Sequence, residues 1–251
     1  MSWSVNISMS SSEDSLRMGF DEFEINRMTV RMGQFFINTG MRVIFGHDWR
    51  DDGVMRAIAN YAEIVARHEE CSPDDKDSWR MLNVVSTPRE LTSRHAVDAE
   101  NNARGVLRLE CLRDIEQDID QLSVKRYLQD SITSHKERGI ELTKLGCYIT
   151  QLLDPGCRIC IGGRTSGFEG REPDIYEEAR LALCYGKPLF LMGGFGGASK
   201  KFGESPENEY WNSENGLDQR EKDDVFKTTD IERALNIVSR GIARLSGRQQ
   251  V

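Results

Sequence analysis

Apolar positions recur along the chain in two rhythms, one helical and one strand-like. Phe20, Phe23, Ile25, Met28, Met32, Phe35 and Phe36 fall at helical spacing and predict a helix over 16–39 that Gly40 ends. Residues 41–45 (MRVIF) read as a short buried strand and 46–53 (GHDWRDDG) as a polar turn. Residues 54–68 read as a helix with Met55, Ile58, Ala59, Ala62 and Val65 on one face. Further strands are expected over 81–85 and 105–110, separated by polar stretches at 69–80 and 86–104. Residues 112–122 are acid-rich and partly helical, and a long helical pattern over 124–153 is stopped by Asp154-Pro155-Gly156. An apolar run then ends at Gly162-Gly163, a helix opens at Pro173-Asp174, and a second apolar run covers 188–192. Residues 200–229 read as a long polar loop with a short helix near 217–225. Asp230 is the expected N-cap of a last helix carrying Ile231, Ala234, Leu235, Ile237, Val238, Ile242 and Leu245.

Strands that alternate with helices predict an α/β fold. The expected form is a Rossmann-like, doubly wound, mostly parallel sheet with helices on both faces. Residues 1–15 read as a polar leader and 16–251 as a single domain.

Composition narrows the function classes. The 251 residues are 38% hydrophobic and 29% charged, with a formal net charge of −8. That charge repels a polyanion, so no nucleic-acid duplex is expected as partner. There is no apolar run of about 18 residues, so no membrane span is expected. The N-terminus lacks the basic and apolar regions of a signal peptide. The six cysteines (Cys71, Cys111, Cys147, Cys157, Cys160, Cys184) fall mostly in apolar or helical patterns, as buried thiols do in a reducing cytoplasm. Cys157 and Cys160 have CxxC spacing, but neither a second CxxC nor paired histidines accompany them, so core packing is the expected role. His68, His95 and His135 have no ligand spacing. No metal and no cofactor are expected.

The candidate chemistry lies in three glycine-bearing loops, each after an expected strand: 46–53, 162–173 and 193–197. In an open parallel sheet, loops at strand C-termini share one edge, where ligands bind. Glycine there lets backbone N–H groups approach a phosphate. The ligand-contact residues read from these loops are Gly46, His47, Asp48, Arg50, Gly162, Gly163, Arg164, Arg171, Asp174, Glu177, Gly193, Gly194, Phe195, Gly196 and Gly197. Arg164 and Arg171 would donate planar forks to phosphate oxygens. His47, Asp48 and Arg50 either grip a ribose and phosphate or are turn residues. Trp49 and Phe195 either stack on a base or pack in the core. Asp174, Glu177 and Glu178 complement the dipole of the helix they open. Alternatively, one of them faces the cleft and binds a ribose hydroxyl or acts as a general acid or base. The sequence holds no GxSxG, no GxxxxGK[ST], no HExxH and no full GxGxxG.

Four stretches carry a family resemblance: 43–53 (VIFGHDWRDDG), 161–164 (IGGR), 170–178 (GREPDIYEE) and 187–197 (KPLFLMGGFGG). Together they resemble the SLOG superfamily, the Rossmann-like group named for DprA and the LOG phosphoribohydrolases. The branch they resemble is the prokaryotic relatives of the nucleotide-sensing domain of TRPM channels. The resemblance implies binding of a phosphorylated nucleotide-derived ligand, of the ADP-ribose or cyclic ADP-ribose type. It implies a context in bacterial antiphage or conflict systems, with a separate effector or signal-producing enzyme as partner and a homo-oligomer as a common assembly. The alternative it implies is LOG-like hydrolysis of the N-glycosidic bond of nucleoside monophosphates or NAD-related substrates. Glu178 falls where the LOG glutamate of PGGxGTxxE would be and is catalytic only under that alternative; the GGxGT part is missing here.

Overall fold

The computed structural model describes residues 3–46, 54–69, 79–85, 97–99, 101, 103, 105–111, 156–168, 172–208 and 210–248. In chain order the elements are β1 (Ser4–Ser10), α1 (Glu13–Arg17), α2 (Glu22–Asn38), β2 (Arg42–Phe45), α3 (Val54–His68), β3 (Met81–Val85) and β4 (Leu107–Cys111). They continue with β5 (Gly156–Gly162), α4 (Asp174–Cys184), β6 (Leu189–Met192), α5 (Gly197–Glu204), α6 (Gln219–Lys227) and α7 (Ile231–Arg248). The expected helix at 112–122 and the long one at 124–153 lie outside the described residues.

The strands form one six-stranded parallel sheet in the order β4-β3-β2-β1-β5-β6, a Rossmann-like α/β arrangement. Strand order reverses at β1. The chain steps outward from β1 through β2 and β3 to β4, then resumes on the other side of β1 with β5. The topological switch point, where open α/β sheets leave a crevice, is therefore between β1 and β5.

Residues 4–10, expected to belong to a polar leader, form this central strand instead. The physical reason is visible in the alternation SVNISMS. Val5 and Ile7 point to one face, while Ser4, Asn6 and Ser8 point to the other and are just as buried. A strand whose one inward face is hydroxyl and amide carries no apolar run. The expected helix over 16–39 is likewise two elements: α1 and α2, separated by a turn around Gly19. Ser12 caps α1, its Oγ accepting from the Ser15 N–H at 3.0 Å.

The chain divides into two compact units. The first holds Met1–Asn6 and Thr29–Pro155, the second Ile7–Met28 and Gly156–Val251. In the first, Ile44, Trp79, Leu82 and Val84 cluster, and the Arg42 guanidinium lies 4.1 Å from the centroid of the Trp79 ring. In the second, every residue of β5 and β6 is buried. That suits β5, an interior strand. β6 is the last strand of the sheet, and its burial has a different source. The segment expected as a loop over 200–229 with a short helix near 217–225 holds that helix as α6, but α5 and two short 3₁₀ turns precede it, and together they cover β6's outer edge. The Leu191 N–H donates to the Tyr210 hydroxyl at 3.3 Å, and Asn215 Nδ2 donates to the Leu189 carbonyl at 2.9 Å. An unpaired edge ladder is thereby satisfied by side chains. Asp230 caps α7 as expected, its Oδ1 accepting from the Glu232 and Arg233 N–H groups.

Candidate functional site

At the switch point, β1 ends at Ser10 and β5 ends at Gly162. The Gly163 N–H donates to the Ser10 carbonyl at 2.7 Å, tying the two strand ends together. The loop after β1 is Ser10-Ser11-Ser12, leading into α1; the loop after β5 is Gly163-Arg164, with Arg164 exposed. Both strand ends are in the second unit. Serines 10–12 were not among the residues expected at the site. The signal that could have found them is the polar/apolar alternation before them and the Ser12-to-Ser15 cap after them.

The second glycine run also comes to this place. Gly193–Phe195 form a 3₁₀ turn after β6, and α5 starts at Gly197. The Ala198 N–H donates to the Gly163 carbonyl at 2.8 Å, so the start of α5 is bound directly to the β5 loop. Gly163 has φ +98, and a Cβ there would stand 2.7 Å from Ile175 Cδ1 and 2.9 Å from Ala198 Cβ. Gly197 has φ +70, and its Cβ would stand 2.6 Å from Gly162 C and Gly163 O. Gly193 and Gly194 are crowded by the Phe226 ring and the Thr228 carbonyl. All five residues 193–197 are buried. Phe195 is fully buried, and the Phe20 ring packs edge-on against it at 5.0 Å between centroids. These glycines thus serve close approach of chain to chain, and Phe195 serves the core.

α4 starts at Asp174, with Pro173 as N-cap; the Pro173 carbonyl accepts from the Tyr176 and Glu177 N–H groups. Asp174 and Glu177 lie in the first turn, and Glu177 is buried. Glu178, one residue further, turns to the sheet. Its Oε2 accepts from the guanidinium of Arg158 on β5 and from the hydroxyl of Ser8 on β1. Arg158 Nη1 also donates to Ser8 Oγ at 2.6 Å. The Arg158 side chain is 0% exposed and that of Glu178 is 13% exposed. A buried guanidinium needs such a partner because it cannot shed its proton. Arg158 and Ser8 were not foreseen. A lone arginine inside an apolar strand pattern was the available signal.

Cys157 and Cys160 are both buried free thiols of β5. Three residues apart on a strand, they point to opposite faces, which removes the redox reading of the CxxC spacing. Burial raises both thiols well above the ordinary range, Cys160 to about 12. Among the described residues, no group of three or more His, Cys, Asp or Glu converges as a metal site. Nor is any described helix long and apolar enough to cross a membrane.

Of the third expected loop, Gly46 follows β2 in the first unit, and its carbonyl accepts from Asn83 Nδ2 at 2.9 Å. His47, Asp48, Trp49 and Arg50 lie outside the described residues, as does Arg171.

A family model described as SLOG cluster2 matches residues 1–227. No curated protein matches the chain. With nearly the whole chain matched, this protein belongs to the SLOG superfamily.

Proposed function

Taking SLOG membership as the premise, we propose that the protein binds a phosphorylated nucleotide-derived ligand, of the ADP-ribose or cyclic ADP-ribose type, at the ends of β1 and β5. The observation that carries the proposal is the switch point itself. Ser10-Ser11-Ser12 and Gly163-Arg164 are the loops that leave its two strands, and they are held together by the Gly163-to-Ser10 hydrogen bond. Serine hydroxyls and backbone N–H groups would receive the phosphates, with exposed Arg164 supplying a charge-assisted fork. Arg171 would assist from the same loop. His47, Asp48 and Arg50 remain proposed ribose and phosphate contacts on the strength of the resemblance alone. Of the second glycine run, Gly197 enters the proposal indirectly, since its close approach to Gly162 and Gly163 sets the position of that turn.

Binding is favoured over hydrolysis because the GGxGT part of the LOG motif is missing beside Glu178. Glu178 Oε2 accepts from both Arg158 and Ser8, which suits a charge-stabilising carboxylate better than a general acid, the donor of a transferable proton. The second reading, an N-glycoside hydrolase with Glu178 stabilising the anomeric centre, is separated by looking for released base. The protein is incubated with AMP, NAD and ADP-ribose while melting is followed. A raised melting temperature without released base supports a sensor, because ligand that binds only the native state stabilises it by mass action. Base release that survives Glu178→Gln removes the glutamate from catalysis. No shift and no release with any of the three ligands overturns both readings.

In this proposal the protein works in the cytoplasm and passes the ligand signal to a separate effector, as a monomer or a homo-oligomer. Light scattering with and without ADP-ribose measures the assembly.

A further inference from the structure

We propose that copies of this chain associate head to tail, the acidic and apolar surface of α1 and the first turn of α2 in one copy seating on the arginine face of α7 in the next. The proposal does not depend on the nucleotide reading above.

The first surface holds apolar side chains outside a core that is already filled. Among the described residues the exposed large apolar side chains are Leu16, Met18, Phe23, Ile64 and Val97, and three of these five fall within eight residues. Leu16 is 61% exposed, Met18 43% and Phe23 72%. The inward positions of the same stretch are taken: Ser15 and Ile25 are fully buried, and Phe20 packs on Phe195. The turn between the two helices is tight, the Gly19 N–H donating to the Leu16 carbonyl at 3.0 Å and the Phe20 N–H to the Ser15 carbonyl at 2.8 Å. The three exposed side chains therefore stand on a fixed stretch of backbone. Single exposed apolar residues are ordinary, but a group of them on so short a stretch marks a contact surface.

Charge identifies what covers it. Residues 13–24 hold Glu13, Asp14, Asp21, Glu22 and Glu24 against Arg17. Arg27 pairs with Glu24 at 2.7 Å and Lys201 with Asp14 at 3.4 Å, so five acids face three cations, a net −2. Two such faces repel each other, which disfavours a two-fold contact of this surface with itself. The opposite charge lies at the other end of the chain. α7 carries Arg233, Arg240, Arg244 and Arg248 against Glu232, a net +3 on a chain of −8. Arg233, Arg240 and Arg244 are exposed, and Arg240 and Arg244 share one carboxylate, that of Glu221. Arginine is the cation that suits the first surface. Its stem is apolar and its guanidinium lies flat on aromatic rings, so it offers packing to Leu16, Met18 and Phe23 and charge to the carboxylates around them. Residues 13–24 and α7 both belong to the second compact unit. Each copy thus brings one face of each kind, and such a contact repeats until it closes into a ring or grows into an open chain.

Sedimentation velocity of the full chain tests this with two variants. Leu16→Ser/Phe23→Ser strips the apolar side chains from the first face; both are exposed, so its melting temperature should stay near wild type. Asn236→Glu/Ala243→Glu sets two acids at exposed positions among the arginines of the second face and removes neither arginine that pairs with Glu221. Wild type, loaded from about 1 to about 100 µM, should grow beyond a monomer with concentration, and raising salt from about 0.05 to about 0.5 M should weaken that association by about tenfold or more. Each variant alone keeps one working face and should sediment as a monomer. An equimolar mixture of the two brings one intact face of each kind together and should give a 1:1 dimer and nothing larger. A wild type that stays monomeric over the whole range overturns the proposal, as does a variant that assembles alone. So does a mixture of two folded variants that stays monomeric, since only a symmetric contact is lost in both and not restored. Association that holds or strengthens with salt overturns it too, and that series on wild type decides even where a variant fails to fold.

Discussion

Replacing Gly197 by alanine tests whether the second glycine run is a piece of packing or an approach path for ligand. Two costs can be read from the geometry. Gly197 has φ +70, and an L-residue in that region costs roughly 1–2 kcal/mol. The added Cβ would also stand 2.6 Å from Gly162 C and Gly163 O, which are backbone atoms with no rotamer to escape into. Those atoms are pinned by the Gly163-to-Ser10 and Ala198-to-Gly163 hydrogen bonds, at 2.7 and 2.8 Å. Relieving the clash moves one of them, an overpacking cost of about 1–3 kcal/mol. The sum is about 2–5 kcal/mol, a large part of the 5–15 kcal/mol that holds a typical domain together. Gly167→Ala is the control. Its φ is +69, and nothing lies within 4 Å of the added Cβ, so only the first cost applies. Urea unfolding of both variants, read as midpoint shifts at unchanged slope, gives the comparison. Gly197→Ala should be the less stable of the two by about 1–3 kcal/mol. Equal destabilisation, with loss of ligand affinity only in Gly197→Ala, would refute the packing account and return that glycine to the ligand.

Three further outcomes are expected. Glu221 completes the capping box of α6, whose N-cap is Asp218, and hydrogen bonds from Arg244, with lesser help from the Asp218 N–H and Arg240, hold its carboxyl down to about 2 against an ordinary 4.5. Its stabilisation is thus complete above about pH 4.5 and lost as pH falls through about 2, so Glu221→Gln should be less stable at neutral pH and converge on wild type in strong acid, as thermal melts across pH will show. Asn215→Ala removes the donor to the Leu189 carbonyl on the outer edge of β6 and should cost about 1–3 kcal/mol by urea unfolding, whereas a change within error would mean the edge is satisfied another way. Cys157 and Cys160 should resist a thiol reagent in the native protein and react on unfolding, because burial lifts both thiols and shields them; peptide mapping of labelled protein checks both positions, and native labelling of either would contradict the buried strand.

Much of the architecture was legible along the chain. β2, α3, β3, β5 and β6 lie where the apolar runs put them, because burial on a parallel sheet demands such runs. Two misreadings share one cause. β1 was taken for a polar leader because three of its five buried residues are serine and asparagine, and the edge cover over 206–217 was taken for a loop because its work is done by Tyr210 and Asn215. In both places polar side chains are buried by satisfying hydrogen bonds, and a pattern of hydrophobicity cannot register that.

The amino-acid sequence determined on its own the strand–helix alternation, the parallel sheet class and the glycine turns after β5 and β6, since each follows from local periodicity or from the absence of a Cβ. Which loops meet was decided only by the tertiary structure. Strand order places Ser10 beside Gly163, and Arg158 with Ser8 beneath them against Glu178, across 150 and 170 residues of chain. Pairing between distant strands is set by the sum of packing over the whole sheet, and no local stretch of sequence carries it.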